Sequence, residues 1–255
     1  MKQDALKRFK TGIYLRLYES YWRMRGFAGI DRMFIKRLAD SGISIETVWD
    51  GGASNGAWAA LACRNLPIQR VELFEPLAPF DRDYSKLLNH RLQAKKNWRL
   101  HPVALGDTNS EITIFKTEDA VGSSCIESEF ARDNWTSIDV TQRTVDHIVQ
   151  SGEARPPDII KADIQGFELR MLKGAEQSLK DTKALILESW FTRGYGAQTP
   201  LLSELTKWLS ERGFILVDTA GEYYSPDGWV LSLDAFFVSR GVAESCGYYI
   251  EGAIS

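Results

Sequence analysis

Short apolar segments alternate with amphipathic ones from residue 45 to residue 240. Apolar runs bounded by glycine, proline or acids predict buried strands, and apolar residues at three- and four-residue steps predict helices. The predicted strands are Thr47–Asp50, a strand ending at Glu75, Trp98–Leu105, Asp158–Asp163, Lys183–Glu188, Phe214–Val217 and Asp234–Val238. The predicted helices are Ala57–Arg64, Asp83–Lys95, Gly166–Leu179, and one from Pro200 to Gly213 capped by Thr199. Such alternation predicts an α/β fold with a parallel sheet and right-handed crossovers.

Two segments depart from this alternation. Residues 106–145 form a predicted β-rich insertion, in which Glu111–Lys116 alternates like a strand with one exposed face and Gly122-Ser123-Ser124 is a flexible point. Residues Gly221–Trp229, rich in aromatic and turn residues, are predicted to connect the last two strands.

The first 42 residues are predicted to form a helical extension to a main domain at residues 43–255. An amphipathic helix is predicted from the spacing of Leu6, Phe9, Ile13, Leu17, Tyr21 and Met24, with Gly26 and Gly29 ending it. A second helix is predicted from Asp31 to Leu38. Residues 1–40 carry ten basic and four acidic residues, so their net charge is +6, whereas the rest of the chain has a net charge of −9. This basic face is interpreted first as the solvated side of a packing helix, and otherwise as a contact with an anionic acceptor, a membrane surface, a partner or a second copy of the chain.

Composition indicates a globular protein of the reducing cytoplasm. The chain has 255 residues, 44% of them hydrophobic, which is enough for a full core. Its net charge of −3 argues against general affinity for nucleic acid. The three cysteines are too few and too widely spaced for a disulfide framework or a zinc site, and neither a signal peptide nor a membrane span is apparent.

A glycine-rich turn follows the first predicted strand, and this order of strand and turn is typical of an adenosine-binding site. The turn reads Asp50-Gly51-Gly52-Ala53-Ser54-Asn55-Gly56. A nicotinamide dinucleotide fingerprint would need glycine where Ala53 stands, and a triphosphate-binding loop would need lysine where Ala57 stands. The remaining pattern, Asp-x-Gly-x-x-x-Gly, resembles the first motif of S-adenosylmethionine-dependent methyltransferases.

A second acid supports a cofactor site. Glu75 ends the second strand and precedes Pro76, so its carboxylate is placed to accept hydrogen bonds from both hydroxyls of a ribose. A solvated loop acid is the alternative interpretation of Glu75. A tight turn without any ligand is the alternative for the three glycines.

Several further motifs follow in order along the chain. They are Val103-Ala104-Leu105-Gly106-Asp107, Val145-Asp146, Ile160 to Glu168, Leu172-Lys173-Gly174-Ala175 and Leu187-Glu188. Together with the Asp50 motif, they resemble the FkbM family of methyltransferases over roughly residues 45–240. Many members of that family have Glu where Gln165 stands, so a role that needs a charge at this position does not transfer to this chain.

The resemblance implies a Rossmann-like class I methyltransferase with a seven-stranded, mostly parallel sheet and helices on both faces. It also implies S-adenosyl-L-methionine as the methyl donor and a hydroxyl acceptor on a sugar, glycan or natural product. Residues implied to bind the cofactor are Asp50, Gly51, Gly52, Ala53, Ser54, Asn55, Gly56, Glu75, Pro76, Ala104, Leu105, Ser124 and Asp163.

Methyl transfer to a hydroxyl is an in-line displacement, in which alignment of the reactants and removal of the acceptor proton accelerate the reaction. Because ligands of open α/β sheets lie beyond the carboxyl ends of the strands, four residues are catalytic candidates. They are Asp163, Gln165, Glu168 and Glu188. Asp163 is the first candidate for general base, with a helix cap as its alternative role. Glu168 is expected in the first turn of a helix, where the helix dipole stabilises a carboxylate.

The amino-acid sequence leaves other interpretations open. Trp190, Tyr195, Tyr223, Tyr224 and Trp229 either stack on an acceptor or pack under a loop. His101, in an apolar run, is expected to be a core residue, and no metal site is predicted. The alternatives to an O-methyltransferase are an N-methyltransferase, a nucleotide-dependent oxidoreductase, and a non-catalytic adenosine-binding or scaffold protein of the same fold.

Overall fold

A computed structural model describes residues 27–118, 120, 122–127 and 135–246. The predicted amphipathic helix from Leu6 to Met24 lies outside these residues. The helices are α1 (Phe27–Asp40), α2 (Ala57–Asn65), α3 (Arg82–Ala94), α4 (Val145–Gln150), α5 (Glu168–Lys173), α6 (Leu202–Ser210) and α7 (Arg240–Ser245). The strands are β1 (Thr47–Gly51), β2 (Arg70–Phe74), β3 (Trp98–His101), β4 (Ala104–Leu105), β5 (Ser110–Lys116), β6 (Thr136–Arg143), β7 (Ile159–Ala162), β8 (Ala184–Trp190), β9 (Phe214–Tyr224) and β10 (Val230–Ser239).

Seven strands form the main sheet in the order β3-β2-β1-β7-β8-β10-β9. The first five are mutually parallel, whereas β10 runs antiparallel to both β8 and β9. The predicted α/β fold with a seven-stranded, mostly parallel sheet is therefore confirmed. The chain leaves β1 toward β2 on one side and reaches β7 on the other, so a crevice opens at the carboxyl ends of these strands.

Both faces of the sheet are covered, which explains why its central strands are mostly apolar. Neighbouring residues of a strand enter different cores: Val48 and Ile159 pack with α1 and α2, while Trp49 and Ile160 pack with α4, α5 and α6. Among the described residues no helix has the length and apolar character that crossing a membrane requires.

The insertion forms a second sheet of three strands in the order β4-β6-β5. The single predicted strand Trp98–Leu105 is wrong, because the chain leaves the main sheet after His101 and the pair Ala104–Leu105 joins the small sheet instead. Pro102, which has no N–H to donate to a ladder, stands at the break. His101 is buried against the ring of Phe74 and pairs with Glu72 at 2.8 Å, as expected for a core residue.

Several predicted bounds of elements are also wrong. Gly29 lies inside α1 rather than ending a helix, and α1 extends from Phe27 to Asp40. The predicted helix Gly166–Leu179 is reduced to α5 and a 3₁₀ turn, Ser178–Lys180. Thr199 does not cap α6, since its hydroxyl accepts a hydrogen bond from the backbone of Tyr195. The connection predicted at 221–229 is strand in part: β9 continues to Tyr224 and β10 begins at Val230, which leaves 225–229 as a hairpin tip.

Gly174 explains why α5 is short and how the insertion is anchored. A Cβ at this residue would lie 2.0 Å from the carbonyl oxygen of Gly106, which is a backbone atom. The backbone of Gly174 also accepts a hydrogen bond from Asp146 N at 2.9 Å. The base of the small sheet therefore packs directly on the end of α5.

We expect Gly174→Ala to lower the free energy of unfolding by at least about 2 kcal/mol, because the backbone of Gly106 must move to admit the methyl group. Chemical denaturation of the purified variant measures this change. The matched control is Gly241→Ala, where no atom lies within 4 Å of the new Cβ. That control is expected to be neutral or to stabilise by up to about 1 kcal/mol. Equal effects of the two substitutions would contradict the packing described for Gly174.

Candidate active site

The turn after β1 brings its backbone against the turn after β7. Gly52 has φ +68, and a Cβ there would lie 2.0 Å from the carbonyl oxygen of Asp163. Asp163 N donates to Gly51 O at 3.1 Å, and Gly52 N donates to Phe74 O at 3.0 Å. A side chain at position 52 is excluded both by conformation and by space, so glycine is required.

Glu75 lies next to this turn with little solvent exposure, at 7%. Its Oε2 accepts from Ser54 N at 2.8 Å, and its Oε1 accepts from Leu77 N at 2.9 Å. Burial raises the pKa of this carboxyl above its ordinary value of 4.5, and the two backbone donors oppose that shift. Each carboxylate oxygen keeps a second lone pair for a ligand hydroxyl.

These groups line a cavity of about 280 Å³ at the carboxyl ends of β1, β2 and β7. Predicted site residues in its wall are Gly52, Ser54, Glu75, Pro76, Ala104, Leu105, Asp163 and Gln165. The remaining lining residues are Phe74, Leu77, Val103, Ile114, Ala120, Gly122, Ser123, Cys125, Ile164 and Phe167. The insertion thus supplies one wall, and the sequence alone indicated only its serine pair.

Other predicted cofactor residues lie behind the wall. Gly56 has φ 75 and precedes the first residue of α2, and Asn55 is held by Arg91, whose guanidinium donates to the Asn55 side chain at 2.6 Å. Asp50, Gly51 and Ala53 are buried below the turn. Ser124 is buried beside the cavity, where its hydroxyl donates to Gln165 O at 2.7 Å. These residues shape the turn and the adjoining loop without forming the cavity surface.

A buried lysine beneath the site was missed in the sequence, although Lys161 is conspicuous inside the apolar strand β7. Its Nζ lies 3.3 Å from Asp163 Oδ2 and 3.9 Å from Asp50 Oδ1. Burial alone would lower the pKa of Lys161, but the charges of Asp163 and Asp50 raise it above its ordinary value. Burial raises the pKa of Asp50 to about 6, against the opposing effect of Lys161.

Asp163 is the exposed acid of the site, with 40% of its side chain accessible. Its Oδ2 accepts from Lys161 and its Oδ1 accepts from Gln165 Nε2 at 2.6 Å. Asp163 does not cap α5, because the residue before α5 is Phe167 and it makes no side-chain capping bond. Asp163 lines the cavity instead.

Glu168 and Glu188 are close to Asp163 but do not line the cavity. Glu168 lies in the first turn of α5, as predicted, and is fully buried; its Oε1 accepts from Ile164 N at 3.0 Å. Burial raises the pKa of Glu168 to about 8. Burial also raises the pKa of Glu188 well above its usual range, with the charges of Asp163 and Glu168 adding to the effect. Neither Oε2 atom has a hydrogen-bond partner among the described residues.

The aromatic candidates divide into two groups. Trp190 is buried and packs edge-on against Tyr195, with ring centroids 5.2 Å apart. Tyr223, Tyr224 and Trp229 are exposed on the β9–β10 hairpin, by 56%, 53% and 76%. Within the described part of the chain no cluster of three or more His, Cys, Asp or Glu is arranged to hold a metal ion.

A doubly wound sheet, a glycine turn and an acid after the second strand are typical of α/β proteins that bind a nucleotide-type ligand at this edge. The sequence model of one family, the methyltransferase FkbM domain, matches residues 50–216. The chain therefore belongs to the FkbM family of methyltransferases, and the resemblance seen in the sequence is confirmed.

Individual relatives are distant. The chain is 25% identical over 205 residues to the hexuronic acid methyltransferase AglP of Haloferax volcanii, which covers 78% of this chain and 80% of the relative. It is 22% identical to the crystal structure of an FkbM methyltransferase from Methylobacillus flagellatus, with a TM-score of 0.47 over 75% of this chain. That match spans only 43% of the Methylobacillus chain. The N-methyltransferase NodS of Bradyrhizobium japonicum is 12% identical, with a TM-score of 0.46 over 82% of this chain and 93% of its own.

Glu168 gives a prediction for stability against pH. Because its pKa is near 8 in the fold and its ordinary value is 4.5, the folded state keeps a proton that the unfolded chain loses between these pH values. Stability therefore falls as pH rises across this window. Glu168→Gln removes this fall. We therefore expect the difference in melting temperature, variant minus wild type, to be larger at pH 8 than at pH 5 by at least about 2–4 °C.

Differential scanning fluorimetry across this pH range measures the effect. Glu153→Gln, on an exposed turn, is the control and is expected to follow the wild-type curve. Parallel curves for Glu168→Gln and wild type would contradict a raised pKa for Glu168.

Proposed function

We propose that this protein is an S-adenosyl-L-methionine-dependent O-methyltransferase whose acceptor is a sugar hydroxyl. The observation that carries the proposal is the meeting of Gly52, Glu75 and Asp163 in one cavity at the carboxyl edge of the sheet. The FkbM domain supports methyl transfer. The hexuronic acid specificity named for the Haloferax relative supports a sugar acceptor.

The residues present fit the proposed donor. The space that a Cβ at Gly52 would fill allows a ligand to approach the backbone, and Glu75 holds two oxygens toward the cavity for the ribose hydroxyls. The apolar residues Leu105, Ile114 and Phe167 offer surface for an adenine ring. When bound, the donor supplies an electrophilic methyl group on a sulfonium.

We assign Asp163 as the general base that removes the proton of the acceptor hydroxyl. Its exposed carboxylate accepts the hydroxyl proton as the acceptor oxygen bonds to the methyl carbon and the carbon–sulfur bond breaks. Glu168 and Glu188 have raised pKa values and lie outside the cavity. We therefore assign them to the polar surroundings of Asp163 and not to contact with the acceptor. Lys161 balances the negative charge beneath it.

The donor site is tested by calorimetric titration with S-adenosylhomocysteine. We expect micromolar binding by the wild type and at least about tenfold weaker binding by Glu75→Ala, because the ribose hydroxyls lose charged acceptors. Glu153→Ala, an exposed acid away from the cavity, is the control and should bind normally. Unchanged binding by Glu75→Ala would contradict the ribose assignment, and no binding by any form would favour a scaffold protein.

The base is tested by Asp163→Asn, with the exposed Asp181→Asn as control. We expect kcat to fall by about 10²- to 10⁴-fold, the usual range for loss of a general base, while the Kd for S-adenosylhomocysteine changes less than about threefold. Transfer of a labelled methyl group from S-adenosylmethionine to p-nitrophenyl β-D-glucuronide and p-nitrophenyl β-D-glucoside measures kcat. Full activity of Asp163→Asn would contradict the role, and transfer to an amine but to neither sugar would favour an N-methyltransferase.

The remaining expectations stay predictions: a boundary near residue 42, a cytoplasmic location, the absence of a metal and of nucleic-acid binding, and a surface or oligomer contact through the basic N-terminal residues.

A further inference from the structure

Gln165 has a backbone conformation that its surroundings must enforce. Its φ is 56, in the left-handed region that non-glycine residues rarely adopt. The hydroxyl of Ser124 donates to its carbonyl at 2.7 Å, and Ser124 is itself bridged to Phe115 of β5. Strained residues of this kind persist where neighbours hold them and cluster at functional sites. The insertion therefore holds the backbone of Gln165 beside the cavity.

The side chain of Gln165 is fixed at both ends. Its Nε2 donates to Asp163 Oδ1 at 2.6 Å, and its Oε1 accepts from the hydroxyl of Tyr195. Tyr195 comes from the loop after β8, where its backbone N donates to Thr199 Oγ1 at 3.0 Å and its ring packs on Trp190. A chain of hydrogen bonds thus runs from this loop through Gln165 to the carboxylate of Asp163.

The direction of these hydrogen bonds follows from the charges nearby. Burial, and then the negative charges of Glu188 and Asp163, raise the pKa of Tyr195 above its ordinary value, so its hydroxyl keeps its proton and donates. Because the amide oxygen of Gln165 accepts the hydrogen bond from that hydroxyl, the amide nitrogen must face Asp163. A glutamate at position 165 has no proton to donate at neutral pH and would place a second negative charge beside Asp163.

Gly122 of the insertion lies beside this chain of hydrogen bonds. A Cβ at Gly122 would lie 3.3 Å from the hydroxyl oxygen of Tyr195 and 4.0 Å from Gln165 Oε1. The insertion therefore brings Gly122 next to the hydroxyl of Tyr195.

We propose that Tyr195 is a positioning residue for methyl transfer: acting through Gln165, it holds the Asp163 carboxylate in the orientation that receives the acceptor proton. This inference rests on the proposed function, because it takes Asp163 as the group that faces the transferred methyl. With Gln165 bonded to Oδ1 and Lys161 bonded to Oδ2, both oxygens of the Asp163 carboxylate are held, and Asp163 lines the cavity.

The test needs a probe of Asp163 that is independent of the acceptor. Sinefungin carries an ammonium group where the donor carries its methyl, whereas S-adenosylhomocysteine has only a neutral sulfur there. The ratio of the two Kd values therefore reports the negative charge presented to the transferred methyl. Calorimetry of both ligands with wild type, Tyr195→Phe, Gln165→Met and the double variant gives a double-mutant cycle.

We expect wild type to prefer sinefungin, and each single variant to lose about tenfold of that preference while S-adenosylhomocysteine binding changes less than about threefold. The double variant should lose no more than either single variant, because all three break one chain of bonds. Tyr224→Phe, on the exposed hairpin, is the control and should keep the full preference. In a glycoside assay, Tyr195→Phe should lower kcat and leave the donor KM unchanged.

An unchanged preference in Tyr195→Phe, or additive losses in the double variant, would overturn the inference while leaving the proposed donor site intact. If the thermal melt shows that Tyr195→Phe does not fold, Gln165→Met provides the test. This variant breaks the same series of hydrogen bonds and leaves the packing of Tyr195 on Trp190 unchanged. Absence of binding of both ligands by wild type would instead contradict the proposed function, and the inference with it.

Discussion

The close approach of two backbone turns is the constraint on which the site depends. Gly52 lies so near the carbonyl of Asp163 that a Cβ would be 2.0 Å away. This contact follows from the parallel pairing of β1 with β7, which sets Gly51 beside Ala162 and brings both strand ends to the same edge of the sheet. The glycine turn and the acid after β7 are therefore parts of one surface, although more than a hundred residues separate them in the chain.

The acids at this edge differ in burial, and their proposed roles differ accordingly. Glu168 is fully buried and Glu188 is partly buried, and desolvation favours the neutral form and raises the pKa of each. Asp163 is exposed and bonded to Lys161 and Gln165, which are donors. Asp163 and Glu75 thus line the cavity, while Glu168 and Glu188 lie outside it. The same division explains why Lys161 is tolerated inside an apolar strand, since an uncompensated group of acids there would be costly.

Much of the fold follows from local pattern. Apolar runs such as the one from Ile159 to Ala162 predicted the central strands, and the glycine turn with Glu75 predicted which edge carries the cavity. Other features depend on contacts distant in the chain. The move of Ala104 and Leu105 into a second sheet requires β6 as a partner, and the early end of α5 comes from the contact of Gly174 with Gly106. The roles of Lys161 and Tyr195 could not be predicted, because they depend on which side chains the sheet and the loop after β8 bring to Asp163.

The central claim is that a methyl donor lies between Glu75 and Asp163 in the carboxyl-edge cavity. A crystal structure of the full chain with S-adenosylhomocysteine tests it most directly. We expect the ribose hydroxyls within hydrogen-bond distance of the Glu75 carboxylate and the sulfur facing Asp163. A ligand bound elsewhere, or with its adenine at Asp163 and its sulfur remote from that carboxylate, would contradict it.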